Sequence, residues 1–166
     1  DKATPADLAY CGPHRLADPL PGSTLTVGQA LLSPTRTYAP YVIRLLAALG
    51  VAKVRGMVHC SGGGQTKCRR FGTGVHFIKD NLFPTPPVFA EIARVSGTEP
   101  EEMHKVYNMG HRLEVFLDPA DVPTALALAT ELGIAARVVG RTEASTRPDR
   151  SNHVTVVKDG QTLAYA

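Results

Sequence analysis

The sequence predicts an α/β (α+β) domain, a mixed β-sheet with helices packed on it. Three observations carry this. Short β-branched apolar runs alternate with segments of helical period. Gly, Pro and Asn sit between them, where strands and helices should stop. The chain closes on Lys158-Asp159-Gly160-Gln161 between two β-rich runs, a hairpin signal. The 166 residues suffice for one sizeable core. A hydrophobic fraction of 43% with 20% charged residues sets aside disordered and fibrous classes.

Residues 1–23, rich in Pro, Gly and Asp, read as a lead-in linker with a short extended piece near Leu8 and Tyr10. The domain is expected over 24–166. No methionine precedes Met57, as expected of a fragment or processed chain. Residues 24–32 predict a strand bent at Gly28, which Pro34 ends. Thr37 is placed to cap a helix over 41–49, with Val42, Leu45, Leu46 and Leu49 on one face and Gly50 at its exit. Residues 51–58 form the next strand, and 74–78 another, followed by a turn at Lys79-Asp80-Asn81. A helix over 87–95 carries Val88, Ile92 and Val95 on one stripe. Thr98 caps a second helix whose buried side is Met103, Val106 and Tyr107. Asn108 and Gly110 suit the left-handed exit. A strand over 112–117, a helix over 118–132 closed by Gly133, and a strand over 134–141 follow. Residues 145–152 are a polar loop before the hairpin strands at 154–157 and 162–165.

Function is most legible at Val58-His59-Cys60-Ser61-Gly62-Gly63-Gly64-Gln65-Thr66-Lys67, where an apolar strand runs into three glycines. Glycine lets a backbone approach a ligand closely. The Ser61 and Thr66 hydroxyls with Lys67, Arg69 and Arg70 suit an anion such as phosphate. The same residues also suit a flexible turn beside a solvated basic run. No Gly-Lys-Ser/Thr follows, so this is not a Walker A loop. A net charge of +3 is too small to make nucleic acid the expected partner. No apolar run approaches the ~20 residues of a membrane span, and the polar amino terminus shows no signal peptide. Cys11, Cys60 and Cys68 make no disulfide framework, which points to the cytoplasm. His59, Cys60, Cys68 and His76 lack the paired spacing of a metal site.

Three blocks together resemble one family. They are Leu31-Leu32-Ser33-Pro34-Thr35-Arg36-Thr37-Tyr38, His59-Cys60-Ser61-Gly62-Gly63-Gly64, and Glu102-Met103-His104-Lys105-Val106-Tyr107-Asn108-Met109-Gly110. They are similar to the LxPTRxY, H-x-[ST]-G-G-G and E-M-x-x-x-[FY]-N-M-G segments of phosphoribosylformylglycinamidine cyclo-ligase, also called AIR synthase. The resemblance implies an AIR synthase C-terminal-domain-like fold covering about half of such an enzyme. It implies an amino-terminal domain outside this chain that forms a homodimer and contributes much of the nucleotide site. The implied reaction closes formylglycinamidine ribonucleotide to aminoimidazole ribonucleotide, with ATP and Mg2+ as cofactors and ADP and phosphate released; this chain alone would be inactive. Thr35, Arg36, Ser61, Gly62, Gly63, Gly64 and Lys67 become candidates for holding the phosphorylated ribonucleotide substrate. His59 becomes a donor or general acid, or else a strand-end residue; Asn108 and Gly110 are structural residues near the site. The wider superfamily holds thiamine-monophosphate kinase-like, selenophosphate synthase-like and hydrogenase-maturation proteins. The rival reading is a non-catalytic anion- or nucleotide-binding or assembly domain. The chain departs at Gln65-Thr66-Lys67-Cys68-Arg69-Arg70-Phe71, where many members have Asn-x-Pro-Arg, and at His111, where a small residue is common.

Overall fold

The first predicted strand is a helix. In the computed structural model, which describes residues 5 and 12–166, Val27–Leu31 form α1. The piece proposed near Leu8 and Tyr10 lies outside the described residues, as does Cys11. The reason for α1 is a capping box: the Thr26 hydroxyl accepts from the Gln29 amide, and the Gln29 side chain accepts from the Thr26 amide. Of the strand, only an isolated bridge between Pro19 and Thr26 remains. Gly28 is no bulge. A Cβ there would stand 2.8 Å from the Leu16 carbonyl oxygen, so glycine lets the preceding segment cross the helix.

Helix α2 (Ala39–Leu49) matches the expected span, but Tyr38 precedes it and no side chain caps it, Thr37 included. Its Tyr41 and Leu45 pack on Ala125 and Ala129 of a later helix, with Val42 and Leu49 beside them. The strand expected at 51–58 begins with a 3-10 turn, Val51–Lys53, and becomes β1 at Val54–His59. β2 is Val75–Lys79; Lys79 is its buried last residue rather than part of a turn.

Helix α3 is Pro87–Ser96. Val95 is exposed, and the buried residue is Glu91, which pairs with Arg94 and His14. Helix α4 (Pro100–Val106) starts from Glu99, because the Thr98 hydroxyl bonds to Ser96 instead of capping it. Met103 is buried as expected, but His104 lies beside it and Val106 is exposed. β3 (Leu113–Leu117) leads through a 3-10 turn into α5 (Val122–Glu131).

The strand expected at 134–141 forms only as β4, Gly140–Ala144. Before it the chain is tied to the turn after β2, which takes its backbone out of any ladder. The Asp80 and Asn81 amides both donate to the Val139 carbonyl, and the Asn81 side chain donates to Val138. β5 (His153–Lys158) and β6 (Gln161–Tyr165) make the predicted hairpin, with Asp159 at φ 50 and Gly160 at φ 77.

The six strands form two sheets, not one. β1 and β3 pair antiparallel; a mixed four-stranded sheet runs β4-β2-β5-β6, with β2 and β5 parallel. The β1–β3 ribbon has a core on each face. Met57, Leu113, Val115 and Leu117 pack toward α2 and α5. Val58 and Phe116 pack with Cys60, Cys68, Phe77, Val154 and Val156. Alternation along a strand allows one ribbon to serve both cores. The α+β class with a mixed sheet is as the sequence predicts.

Candidate functional site

The glycine loop leaves β1 at its carboxyl end and enters a 3-10 helix, Gly64–Arg70. Two of its four amides are engaged: Ser61 donates to the His59 carbonyl and Gly64 to the Ser61 carbonyl. The Gly62 and Gly63 amides have no acceptor among the described residues. Gly63 sits at φ 99, a left-handed position that favours glycine. Lys67 donates to the Ser61 hydroxyl, and the Arg70 guanidinium lies 3.8 Å from where a Gly63 Cβ would be. The loop thus presents two backbone donors, a hydroxyl and two cations on one exposed turn. That set fits a singly held phosphate group.

Behind the loop is a buried polar network that the sequence did not reveal. Gln65 is fully buried, and its side chain donates to the Asn108 carbonyl. Lys79 donates to the Gln65 backbone carbonyl at 2.6 Å and to its side-chain oxygen at 3.2 Å, and pairs with buried Glu114 of β3. Burial works against the Lys79 charge, but Glu114, with smaller help from Cys68 and Cys60, more than offsets it, and its pKa is raised. Cys60 and Cys68 border the same network. Burial pushes their thiols up to about 12 and about 11, so neither is a thiolate at neutral pH. No sequence signal points to it: Lys79 falls in an expected turn, and Glu114 alternates with the apolar Leu113, Val115 and Leu117 of its strand.

Two of the three blocks meet here. Gly64 rests on the His104 and Tyr107 carbonyls at the end of α4. The Asn108 side chain accepts from the Gly110 amide, so Asn108 does shape the exit. It is Met109 at φ 50 and Gly110 at φ 94 that turn left-handed. Pro86 packs where a Gly110 Cβ would be, at 2.8 Å. His59 is exposed at the end of β1 and makes no side-chain hydrogen bond among the described residues. Thr35 is exposed, and Arg36 donates to the Gly133 carbonyl at 3.0 Å beyond α5. Arg36 lines a small hollow with Thr37, Pro40, Tyr41, Leu132 and Ile134, not the glycine loop. A cavity of about 330 Å³ runs along β3 and 134–142. Lys79, His111 and Glu114 are in its wall, but no residue of the loop is.

The family model described as AIR synthase related protein, C-terminal domain, matches residues 20–151. The chain belongs to this family. Named phosphoribosylformylglycinamidine cyclo-ligases are similar to this AIR synthase-related domain. That of Methanocaldococcus jannaschii is 34% identical over 116 residues, covering 70% of the chain and 33% of the relative. That of Myxococcus xanthus is 36% identical over 119 residues, 69% and 33%. That of Lachnospira eligens is 35% identical over 125 residues, 74% and 36%. The matched part of the AIR synthase-related domain thus covers about a third of the length of these curated relatives.

His111, where this AIR synthase-related domain departs from the common small residue, has an expected pH consequence. Its Nε2 accepts from the Phe83 amide at 3.0 Å, while its Nδ1 is buried without a partner. Burial pushes its pKa down to about 4, with Lys79 adding to the effect. The folded state therefore favours neutral His111. That contribution is complete above the unfolded value of 6.5 and is lost as pH falls from there through about 4. His76, lowered by burial and then by His153, acts in the same direction. Urea midpoints of the parent should fall across this window, and His111→Gln should fall less steeply. Parallel slopes would show that His111 does not carry the effect.

Proposed function

We propose that this chain is the carboxy-terminal domain of an ATP-dependent cyclo-ligase of purine biosynthesis, with 24–166 as the domain and 1–23 leading into it. The glycine loop holds the phosphate of the ribonucleotide substrate. One observation supports this above the rest: the unengaged Gly62 and Gly63 amides, with Lys67 on Ser61, in a loop braced from behind. Similarity to named cyclo-ligases supports a reaction of this class. In it the γ-phosphoryl group of ATP passes to an amide oxygen of formylglycinamidine ribonucleotide and ADP departs. A nitrogen of the substrate attacks that carbon, the C–O bond breaks, and phosphate leaves as the imidazole closes. Such chemistry rests on positioning and charge stabilisation. In this chain the loop donors fix the phosphorylated end of the substrate, and Lys67 neutralises its charge. Exposed His59 stands one residue before Cys60 at the loop entrance, within the proposed reach of the substrate as a proton donor. The described residues bring together no group of three His, Cys, Asp or Glu side chains, so Mg2+ has no ready donor set among them. ATP, Mg2+ and the homodimer contact belong, in this proposal, largely to an amino-terminal domain, and turnover requires it. The cell compartment proposed is the cytoplasm; no helix among the described residues is long and apolar enough to cross a membrane.

The clean test position is Gly62. Its Cβ would meet nothing within 4 Å, and its φ is not left-handed, whereas any substitution at Gly63 is strained at φ 99. Gly62→Val should weaken inorganic phosphate binding to the chain about tenfold or more, with little change in the thermal midpoint. Lys67→Ala should weaken it less and flatten its salt dependence. Calorimetric titration reads both. Unchanged affinity in Gly62→Val would make the loop a turn only. The rival non-catalytic reading gains from the Gln65 to Phe71 departure. It is separated by adding the amino-terminal half of a relative and assaying ATP-dependent ring closure.

A further inference from the structure

The cations that follow the glycine loop do not end with Arg70. Asn152 donates its side-chain amide to the carbonyls of Arg69, Phe71 and Gly72 at 3.0, 3.1 and 3.0 Å. Its side-chain oxygen accepts from the Val75 amide at 2.9 Å. One residue thereby staples the 145–152 loop to the exit of the 3-10 helix. Arg150 comes with it: its guanidinium lies 3.7 Å from the Cβ position of Gly74. Arg147 follows on the same loop. The Asn152 staple thus sets the loop that carries Arg147 and Arg150 against the segment that carries Lys67, Arg69 and Arg70, from two distant parts of the chain. None lies within 4.0 Å of a carboxylate among the described residues. Arg44, Lys53, Arg55, Arg94, Lys105 and Arg141 are paired, while Arg15, Arg36, Arg112 and Arg137 elsewhere also lie beyond 4.0 Å of any carboxylate among the described residues. The one carboxylate in the loop, Asp149, accepts from the Ser151 amide at 2.9 Å; that bond, and to a lesser extent the nearby Arg147 charge, lower its pKa. Five cations with one carboxylate among them raise the local positive potential.

We propose that these five cations form a rim, a second anion-binding surface continuous with the glycine loop, and that it takes an oligophosphate of two or more linked phosphate groups. The first phosphate sits on Gly62 and Gly63 beside Lys67; the following ones pass over Arg70 toward Arg147 and Arg150. Only the placement of that first phosphate rests on the functional reading above. Guanidinium groups suit the task because each offers several donors in a fixed fork.

The test is calorimetric titration of the chain with orthophosphate, pyrophosphate and tripolyphosphate, between about 50 and 200 mM salt. Tripolyphosphate should bind at least about tenfold more tightly than orthophosphate, with a steeper salt dependence. The double variant Arg147→Gln and Arg150→Asn should remove most of that gain and leave orthophosphate within about twofold. Asn is chosen because Arg150 sits at φ 54, a conformation Asn tolerates. Three equal affinities, or a gain that survives the double variant, would overturn the proposal and leave the loop reading standing. Tripolyphosphate binding that depends on the arginines, with no orthophosphate binding, would sink the loop reading alone. No binding of any of the three would sink both. A short single-stranded oligonucleotide that binds more tightly than tripolyphosphate, and loses that on Phe71→Ala, would assign the rim to nucleic acid and overturn the oligophosphate proposal.

Discussion

Gly64→Ala is expected to lower the stability of the chain by about 4 kcal/mol, through overpacking combined with backbone strain. A Cβ on Gly64 would stand 2.3 Å from the Tyr107 carbonyl oxygen and 2.7 Å from that of His104. Both atoms are backbone at the end of α4, so neither can swing aside as a side chain would. The φ of 48 adds a left-handed penalty of roughly 1 kcal/mol for alanine. The loop and the Asn108-Met109-Gly110 turn would have to separate. Gly62→Ala is the control, since its Cβ meets open space. Urea unfolding of the two variants beside the parent reads the difference. Equal midpoints for Gly64→Ala and Gly62→Ala would show that the loop does not dock on α4.

Lys79→Met should destabilise by about 3–5 kcal/mol, the usual loss when one partner of a buried ion pair is removed. Glu114 would keep a charge in a site only 7% exposed, and the Gln65 carbonyl would lose its donor. Glu114 Oε2 already lacks a hydrogen-bond partner, so the carboxylate has no spare support. Removing both charges with Lys79→Met and Glu114→Leu should recover much of the loss, because desolvation of the pair is then no longer paid. The double variant still leaves Gln65 without its Lys79 tie, so amides of the glycine loop should exchange faster than in the parent. Hydrogen exchange and melting of the three proteins give the answer. A single variant as stable as the double one would mean that the pair is not a mutual dependency.

The two readings of the glycine loop, anion site or plain turn, split along a line the sequence could not draw. Four amides were available on paper, and the structure engages those of Ser61 and Gly64 in the turn itself. Gly64 is there for close packing and, like Gly63, for its left-handed φ; Gly62 alone is unconstrained by either. Arg36 illustrates the converse. Its block carried part of the resemblance, yet its side chain serves the Gly133 carbonyl and not the loop.

The sequence by itself determined the elements whose signals are local. α2, α3, α5 and the Asp159-Gly160 hairpin stand close to where helical period, breakers and turn chemistry put them. It also determined the family, because three separated blocks in order and spacing are a property of sequence alone. The capping box of Thr26 and Gln29 is equally local, a Thr-x-x-Gln signature that overrides the strand tendency of that run. Tertiary structure decided the rest. Val138 and Val139 have strand-forming side chains, but their carbonyls were claimed by Asp80 and Asn81. Lys79 and Glu114 looked like surface charges until β2 and β3 buried them against one another. The loop of Arg147 and Arg150 is set against the 69–72 turn only because Asn152 reaches it. In each case the deciding partner lies far along the chain, and hydrogen-bond competition and burial are settled only when the two segments meet.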